Sequence, residues 1–390
     1  MIPISLAAVE ARHLEQLVAD RIPESETLDF KRLPPDKSDR GRNEFLKDVC
    51  AMANGRGGDL VYGIDEADGV AGVVLPINHE SSDDLKRRLL QVLDAGIEPR
   101  LVGLHIRDIA IDGGYLLVVR VPQSFNGPHR YVMNGHSKFV VRNGTLSSEL
   151  TYEQLRSAFD RTASLTAQAK RFIEKRIDRI QHGMGIRPMQ SGPQLVFHLV
   201  PVGSGLVGES VDVASLYDSE FTKYIVSGWA GATRSLNLEG IVIHPPSNSA
   251  YFSDYVQVFR SGAVEAVSCQ GGDFNGRHII PATLASTFFR YALAMSLSHC
   301  QRHGIAGPAV FSGALLGVAG YELGVARQSL MFGRFLSDRM TMILPQQWIP
   351  SIETADADAY ARPLLDVMWQ AFGADRCAEY TEDGVWQPHR

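Results

Sequence analysis

The sequence predicts a mixed α/β (α+β) protein built from more than one domain. Its 390 residues are more than a single hydrophobic core usually organises. Helical and strand-like hydrophobic patterns alternate through the first part of the chain, and they alternate again in its second half. We therefore predict an N-terminal mixed-sheet domain over residues 1–160, a basic helical linker over 161–190 and a second α/β domain of unknown type over 191–390.

The N-terminal domain begins with a helix and a short strand. Apolar residues at helical spacing predict a helix from about Leu6 to Asp20. Period-two alternation then predicts a strand over 27–31. Leu28 and Phe30 are expected in the core, so Asp29 and Lys31 are expected on the opposite, accessible face.

Further along this domain, helices and strands continue to alternate. The pattern predicts a helix over Asn43–Ala53, ended by a glycine-rich run. The other predicted elements are strands at Asp59–Ile64, Val70–Leu75, Leu101–Ala110, Tyr115–Val121 and Lys138–Arg142, and a helix at Asp83–Leu93.

The linker is the most basic stretch of the chain. Its helical pattern extends from Thr151 to Gln181, and its middle carries six basic residues against two acidic ones. A solvated connecting helix and a phosphate-backbone contact both explain this charge. Lys170, Arg171 and Lys175 are the candidate RNA contacts.

The second domain shows strands followed by a long helix. The predicted strands are Gln194–Val202, Gly240–Ile243, Tyr255–Phe259 and Ala263–Ser268, and the predicted helix is Ala282–His299. In that helix, His299 and His303 have a spacing that can bind zinc, but no further ligands are evident, so helix-end histidines are favoured. We expect this domain to act in sensing, oligomerisation or RNA capture.

Composition and charge exclude several classes of protein. The net charge of −6 excludes a protein that coats nucleic acid through bulk charge, so such a role needs a local patch. The four cysteines lie far apart, which is typical of a reducing compartment. Neither a signal peptide nor a membrane-spanning apolar run is evident. We expect a soluble cytoplasmic protein.

Carboxylates and a lysine around the first strand suggest phosphodiester chemistry. Glu24 precedes the strand, while Asp29 and Lys31 lie on one face of it. Asp65 and Glu66 lie at the end of the next strand, where they could supply a third acid. Such carboxylates can hold Mg²⁺ or Mn²⁺, and a lysine can offset charge on a phosphate. The alternative is a solvated sheet edge with a lysine–aspartate pair.

Several motifs in a fixed order resemble the Schlafen AlbA-like domain over about residues 10–160. They are Glu24-Ser25-x-x-Leu28-Asp29-Phe30-Lys31, Ala51-Met52-Ala53-Asn54-x-x-Gly57-Gly58-x-Leu60-x-x-Gly63-Ile64-Asp65-Glu66, Gly69-x-x-Gly72, Val121-Pro122, Pro128-His129-Arg130 and Phe139-Val140-Val141-Arg142-x-Gly144. The resemblance implies an RNA-directed role. In nuclease members, three acids form a metal-dependent site that cuts transfer RNA, and bacterial members are linked to antiviral defence.

Carried over by position, the resemblance assigns the three acids to Glu24, Asp29 and Glu66, with Lys31 retained. At Asp29 the family more often has Glu, and at Glu66 the cleaving members tend to have Asp. Animal members close two tandem copies around RNA, so this single copy implies a homodimer or a higher homo-oligomer. No Gly-x-x-x-x-Gly-Lys-[Ser/Thr] motif occurs in the chain, so we expect no ATP.

Three further residues are candidate phosphate contacts: His129, Arg130 and Arg142. Structural roles explain them equally well. The sequence thus predicts a metal-dependent endoribonuclease acting on structured RNA. A non-catalytic nucleic-acid-binding regulator is the alternative.

Overall fold

The chain divides into two compact units, residues 1–164 and 165–390. The computed structural model describes residues 1–4, 6–203, 211–226, 229–305, 307–324 and 335–388. The division falls within one helix, α4 in chain order (Tyr152–Gln181). The second unit therefore includes most of the segment that the sequence predicts as a linker. Across the described residues, no helix is both long and apolar enough to cross a membrane.

The first unit is a mixed α/β structure, as predicted. Its elements are α1 (Ala11–Ala19), β1 (Leu28–Lys31), α2 (Asp39–Asn54), β2 (Gly58–Tyr62), β3 (Ile64–Ala67), β4 (Val70–Val74), α3 (Ser82–Gly96), β5 (Ile97–Glu98), β6 (His105–Ile111), β7 (Gly114–Val121), β8 (Arg130–Met133), β9 (His136–Lys138), β10 (Val140–Asn143) and β11 (Leu146–Glu149). The main sheet has the order β1-β2-β7-β6. β1 and β2 are parallel, and the other two pairs are antiparallel. The pairs β3–β4 and β10–β11 and the sheet β5-β8-β9 flank it.

Both faces of the main sheet are covered. On one face, Leu28 and Phe30 pack in a cluster with Leu14 of α1. On the other face, Leu60 of β2 packs in a cluster with apolar residues of α2 and α3, including Phe45. The predicted core positions of β1 are thus confirmed, and its polar face lies under α2.

Helix α2 begins earlier than its periodicity predicts. Ser38 precedes the helix and its hydroxyl accepts a hydrogen bond from the Gly41 N–H, which caps the first turn. The helix ends at Asn54, before Gly55 and the positive-φ Gly57. A side chain at Gly57 would clash with backbone atoms of 121–123, so this glycine permits a close chain crossing.

The second unit is built around an antiparallel sheet. Beyond α4, its elements are β12 (Gln194–Pro201), α5 (Val213–Ser215), β13 (Thr233–Asn237), β14 (Gly240–His244), β15 (Asp254–Phe259), β16 (Val264–Cys269), β17 (Gly272–Phe274), β18 (Arg277–Pro281), α6 (Ala282–Arg302), β19 (Ala309–Leu316), β20 (Glu322–Gly324), β21 (Thr341–Ile343), β22 (Gln347–Ile349) and α7 (Ala357–Gln370). The sheet order is β13-β14-β15-β16-β12-β19-β21, and β22 also pairs with β19. The four predicted strands and the long helix of this unit are confirmed within a few residues.

One face of this sheet forms the core with α6 and α7. Phe197 and Val264 point to that face and pack in one cluster with Phe288 and Trp369. Glu265 is adjacent to Val264 along β16, so it points to the opposite face, where it pairs with Arg176 of α4.

Candidate functional site

The carboxylates predicted from the sequence lie around β1. Glu24 lies before the strand, and its Oε1 accepts a hydrogen bond from the Phe30 N–H at 2.9 Å. Asp29 lies within the strand and is 3% exposed. Its predicted position on an accessible face is therefore wrong. Helix α2 covers that face with the acidic Asp48, and β10 covers it with the basic Arg142.

Asp29 is held between two cations. The Arg142 guanidinium donates to Asp29 Oδ1 at 2.9 Å, and the same side chain donates through Nε to the Ser25 carbonyl at 3.2 Å. Lys31 Nζ lies 2.9 Å from Asp29 Oδ2 and 3.7 Å from Asp48 Oδ2. Asp29 Oδ2 is buried and accepts no hydrogen bond of good geometry, although the Lys31 amine is adjacent. One oxygen is thus fixed by a hydrogen bond, and the other has only an ion pair.

Burial and neighbouring charges shift the pKa values of Glu24, Asp48 and Lys31. Burial raises the pKa of Glu24, and the neighbouring charges of Asp29 and Glu66 raise it further, against the Phe30 hydrogen bond that lowers it. Burial also raises the pKa of Asp48, which Lys31 partly offsets. Burial alone would lower the pKa of Lys31, but Asp29 and Asp48 outweigh it and raise that pKa.

The other two acids are more exposed. Glu66 on β3 is exposed, and its Oε1 accepts a hydrogen bond from the Gly69 N–H at 2.6 Å. The same Gly69 accepts a hydrogen bond at its carbonyl from the Glu24 N–H at 3.0 Å, which places Glu66 near Glu24. Asp65 lies 3.9 Å from the Arg32 guanidinium. The structure thus brings Glu24, Asp29 and Lys31 together, with Glu66 beside them and Asp65 at the periphery.

The donor chemistry of this cluster fits a divalent cation. Carboxylate oxygens are the ligands that Mg²⁺ and Mn²⁺ prefer, and Asp29 Oδ2 is a buried oxygen without an aligned hydrogen bond. A cation would also relieve the repulsion that raises the pKa of Glu24. In the described part of the chain, however, no three or more His, Cys, Asp or Glu side chains are already arranged as a metal site. The carboxylates therefore suit a divalent cation by ligand type, and the amine of Lys31 lies beside Asp29 Oδ2, where such a cation would bind.

Two predicted phosphate contacts are buried and do not lie at the surface. Arg142 is 2% exposed and is engaged by Asp29. His129 is fully buried, with Nδ1 2.7 Å from the Pro99 carbonyl and Nε2 2.6 Å from Ser124 Oγ. Burial lowers the pKa of His129. Both residues have structural roles because their polar atoms are already satisfied inside the fold.

The remaining predicted contacts are at the surface. Arg130 is paired with Glu98 at 2.8 Å. Lys170, Arg171 and Lys175 are exposed on α4, but Arg176 of the same helix is buried against Glu265. Part of the basic charge of this helix is therefore structural.

Asp48 is the site residue that sequence reasoning missed. It lies on α2 between the buried residues Phe45 and Val49 and is itself 5% exposed. A charged residue within an apolar helical stripe indicates a buried partner of opposite charge, because buried carboxylates are rare unless they are paired.

The histidines near the end of α6 form a polar cluster. His299 is buried and its Nδ1 lies 2.6 Å from the Tyr224 hydroxyl. His303 Nε2 lies 3.7 Å from Glu220 Oε2. Burial, with the charges of His303 and Arg302, lowers the pKa of His299 to about 3. Within the described residues, no group of three or more His, Cys, Asp or Glu side chains that could hold a metal includes these histidines, so the helix-end interpretation is favoured over a zinc site.

The family model described as Schlafen, AlbA_2 matches residues 24–151. The resemblance found in the sequence is thus confirmed for the first unit. No curated protein sequence matches the chain at a significant level.

Two solved structures are similar to part of the chain. The N-terminal domain of a RecG-related protein from Nitrosomonas europaea, named for an ATP-dependent DNA helicase, is 22% identical, and the match covers 36% of this chain and 89% of that one with a TM-score of 0.27. The DIP2311 protein from Corynebacterium diphtheriae is 16% identical, with 35% and 25% covered and a TM-score of 0.26. Values this low say nothing about the activity of this chain.

Proposed function

We propose that this chain, whose residues 24–151 form a Schlafen AlbA-like domain, is a metal-dependent endoribonuclease that cuts structured RNA. Transfer RNA is the first candidate substrate. The observation that carries this proposal is the placement of the Glu24 and Asp29 carboxyl groups around β1 beside Lys31, with Glu24 bonded to the Phe30 N–H and Asp29 paired with Lys31 at 2.9 Å. Perturbed carboxylates of this kind cluster at functional sites.

Glu24, Asp29 and Glu66 would hold Mg²⁺ or Mn²⁺, with Asp65 as an additional ligand. When bound, the ion would polarise the scissile phosphate and lower the pKa of the attacking water or hydroxyl. The protein's own contribution is to hold these oxygens in place. Phe30 fixes Glu24 through its N–H, and Arg142 fixes Asp29.

Lys31 supplies positive charge at the phosphate. Its raised pKa keeps the amine protonated at neutral pH. The side chain is 31% exposed, unlike the buried Arg142, so its amine can reach a bound phosphate. An ammonium group in that position stabilises the negative charge that develops in the transition state.

The test is incubation of the purified chain with total transfer RNA and Mn²⁺ or Mg²⁺. We expect discrete fragments from the wild type that disappear in chelator and with Glu24→Gln or Asp29→Asn. The matched control is Glu15→Gln, which removes one carboxylate from an exposed position on α1. Unchanged cleavage by both site variants would contradict the assignment of these acids.

A non-catalytic RNA-binding regulator is the second candidate. It is favoured by the two cations that already face the oxygens of Asp29. In that case the ion pairs of Asp29 only stabilise the fold, and the affinity for RNA should be the same with chelator and with metal. RNA that stays intact under all metal conditions but is retained by the protein would support this function.

The family resemblance also supports a biological setting. We propose a cytoplasmic role in bacterial antiviral defence, with a homodimer or higher homo-oligomer bringing two AlbA-like domains to one RNA and the second unit controlling activity. Mass photometry of the full chain, with and without transfer RNA, tests the assembly. A monomer in both conditions would contradict it.

A further inference from the structure

Two open clefts adjoin on the first unit, beside the start of α2. The larger has a volume of about 540 Å³ and the smaller about 480 Å³, within the range of about 300–1,000 Å³ that is typical of ligand sites. They share Asp39, Met133 and Asn134, so they form one continuous depression. Tyr131 and Met133 contribute an apolar floor.

The rim of this depression is strongly basic. We call it the basic cleft and define it by its charged lining residues, Lys37, Arg40, Arg42, Arg88, Lys138 and the single acid Asp39. His136 also lines it. In the whole chain, acidic residues outnumber basic ones by 44 to 38, so this local excess of cations is opposite to the average. A concave basic surface on an acidic protein concentrates anions.

Some of these cations are engaged and two are not. Arg42 lies 3.7 Å from Asp39, Arg88 lies 2.7 Å from Glu80, and Lys138 contacts Glu149. Lys37 and Arg40 are exposed, and neither forms an ion pair with another residue in the described part of the chain. Their charges therefore remain available to a ligand.

The basic cleft and the carboxylates share one helix. Arg40 is in the first turn of α2, and Lys47 lies seven residues further, a rise of about 10 Å. The next residue, Asp48, lies 3.7 Å from Lys31, which contacts Asp29. Helix α2 therefore runs from the basic cleft to the partly exposed Lys31 at the carboxylates.

We propose that the basic cleft binds the phosphate backbone of a single-stranded segment of RNA and leads that strand along α2 toward Glu24 and Asp29. This inference rests on the proposed function for its direction, but binding in the cleft does not require cleavage. Lys37 and Arg40 contact phosphates, and the floor of Tyr131 and Met133 accommodates ribose or base. Phosphate contacts of this kind position a strand without reading its sequence.

The test is fluorescence anisotropy with a labelled oligouridine and the full-length double variant Lys37→Glu/Arg40→Glu. We expect affinity at low salt to fall at least about tenfold, and the slope of log K against log salt to shrink by about 1.4 because two phosphate contacts are lost. The matched control is Arg12→Glu/Arg100→Glu, which makes the same charge change at exposed, ion-paired positions. It should change affinity by less than about twofold.

Further variants and competing ligands separate loss of the cleft contacts from misfolding and from binding of another anion. Circular dichroism of each variant checks the fold, and Lys37→Gln/Arg40→Gln should give an intermediate loss. Equal losses in the cleft and control variants, or no binding by the wild type, would overturn the proposal. Stronger binding of oligothymidine than oligouridine, or full competition by inorganic pyrophosphate, would show DNA or a free phosphate as the ligand instead. If the cleft variant still cuts RNA and binds it with unchanged affinity, the cleft proposal alone is refuted. If RNA binds through the cleft but is never cut, only the proposed nuclease activity is refuted.

Discussion

Replacing Glu265 with glutamine should destabilise the second unit strongly and in a pH-dependent way. This carboxylate is fully buried and accepts four hydrogen bonds, two from Arg176 at 2.7 and 2.8 Å and one each from His198 and Tyr255 at 2.8 Å. Burial alone would raise its pKa, but hydrogen bonds from Arg176 and His198 lower it to about 2, from a usual value of 4.5.

The magnitude follows from this shift. A depressed carboxylate pKa contributes stability that is present above the unfolded value, here about 3 kcal/mol at pH 7. The contribution is lost as pH falls toward the folded value, by about 2 kcal/mol between pH 5 and pH 3. Glu265→Gln also leaves the buried Arg176 with only the half-exposed Glu239, 3.8 Å away, as an acidic partner, so we expect a loss of about 3–5 kcal/mol at pH 7.

Tryptophan fluorescence during urea unfolding measures this effect in the second unit alone. All four tryptophans of the chain lie there, at Trp229, Trp348, Trp369 and Trp386. The control is Glu239→Gln, which removes a half-exposed carboxylate 3.8 Å from the same guanidinium and should cost less than about 1 kcal/mol. Equal losses in the two variants, or a difference between wild type and Glu265→Gln that stays constant down to pH 3, would refute this argument.

Three further predictions concern the first unit and the thiols. Arg142→Met leaves Asp29 buried beside Lys31 alone, so it should destabilise the first unit by about 3–5 kcal/mol and speed hydrogen exchange in β1, whereas adding Asp29→Leu should restore part of the loss. Glu24→Gln should abolish RNA cleavage without lowering the melting temperature at pH 7. The raised pKa means that ionised Glu24 destabilises the fold at neutral pH. The gap in stability to the variant should narrow as pH falls through the raised folded pKa and should be absent below the unfolded value of 4.5; a lower melting temperature at pH 7 would contradict this. Burial raises the thiol pKa of Cys50, Cys269 and Cys300 to about 12 and that of Cys377 to about 11. Native protein at pH 8 should therefore react slowly with a thiol-specific disulfide reagent until urea is added, and a fast absorbance change in the native protein would refute this.

Local periodicity was sufficient to predict most elements of both units. Leu28 and Phe30 alternate with polar residues, and they are buried as the period requires. Long apolar runs predicted β12, β15 and α6 because buried strands and helices need continuous hydrophobic sequence. Strand order in the two sheets could not be obtained this way, since it depends on contacts between residues far apart in sequence.

The environment of the predicted carboxylates was harder to predict than their identity. Period two assigns Asp29 to the polar face of β1, but it cannot show that α2 covers that face or that Arg142 arrives from β10. A buried ion pair looks like two surface charges in a sequence, because the partner is 113 residues away. The same limitation placed Arg142 and His129 among the RNA contacts and left the basic cleft unrecognised, since its lining residues come from three separate segments.

The two candidate functions differ in the partner of Asp29 Oδ2, which is a metal ion in the nuclease and Lys31 in the non-catalytic regulator. Arg142 is buried and bonded to both Asp29 and the Ser25 carbonyl, so its position is fixed and it serves as a positioning residue in either case. Lys31 is partly exposed and lies between Asp29 and Asp48, so its amine can move toward Asp48 or a phosphate without losing all of its acidic partners. Such a shift would free Asp29 Oδ2 as a ligand next to Glu24. Burial is the largest cause of the raised pKa of Glu24, and the charges of Asp29 and Glu66 add to it; a divalent cation beside these carboxylates would offset that repulsion more than the single charge of a lysine does.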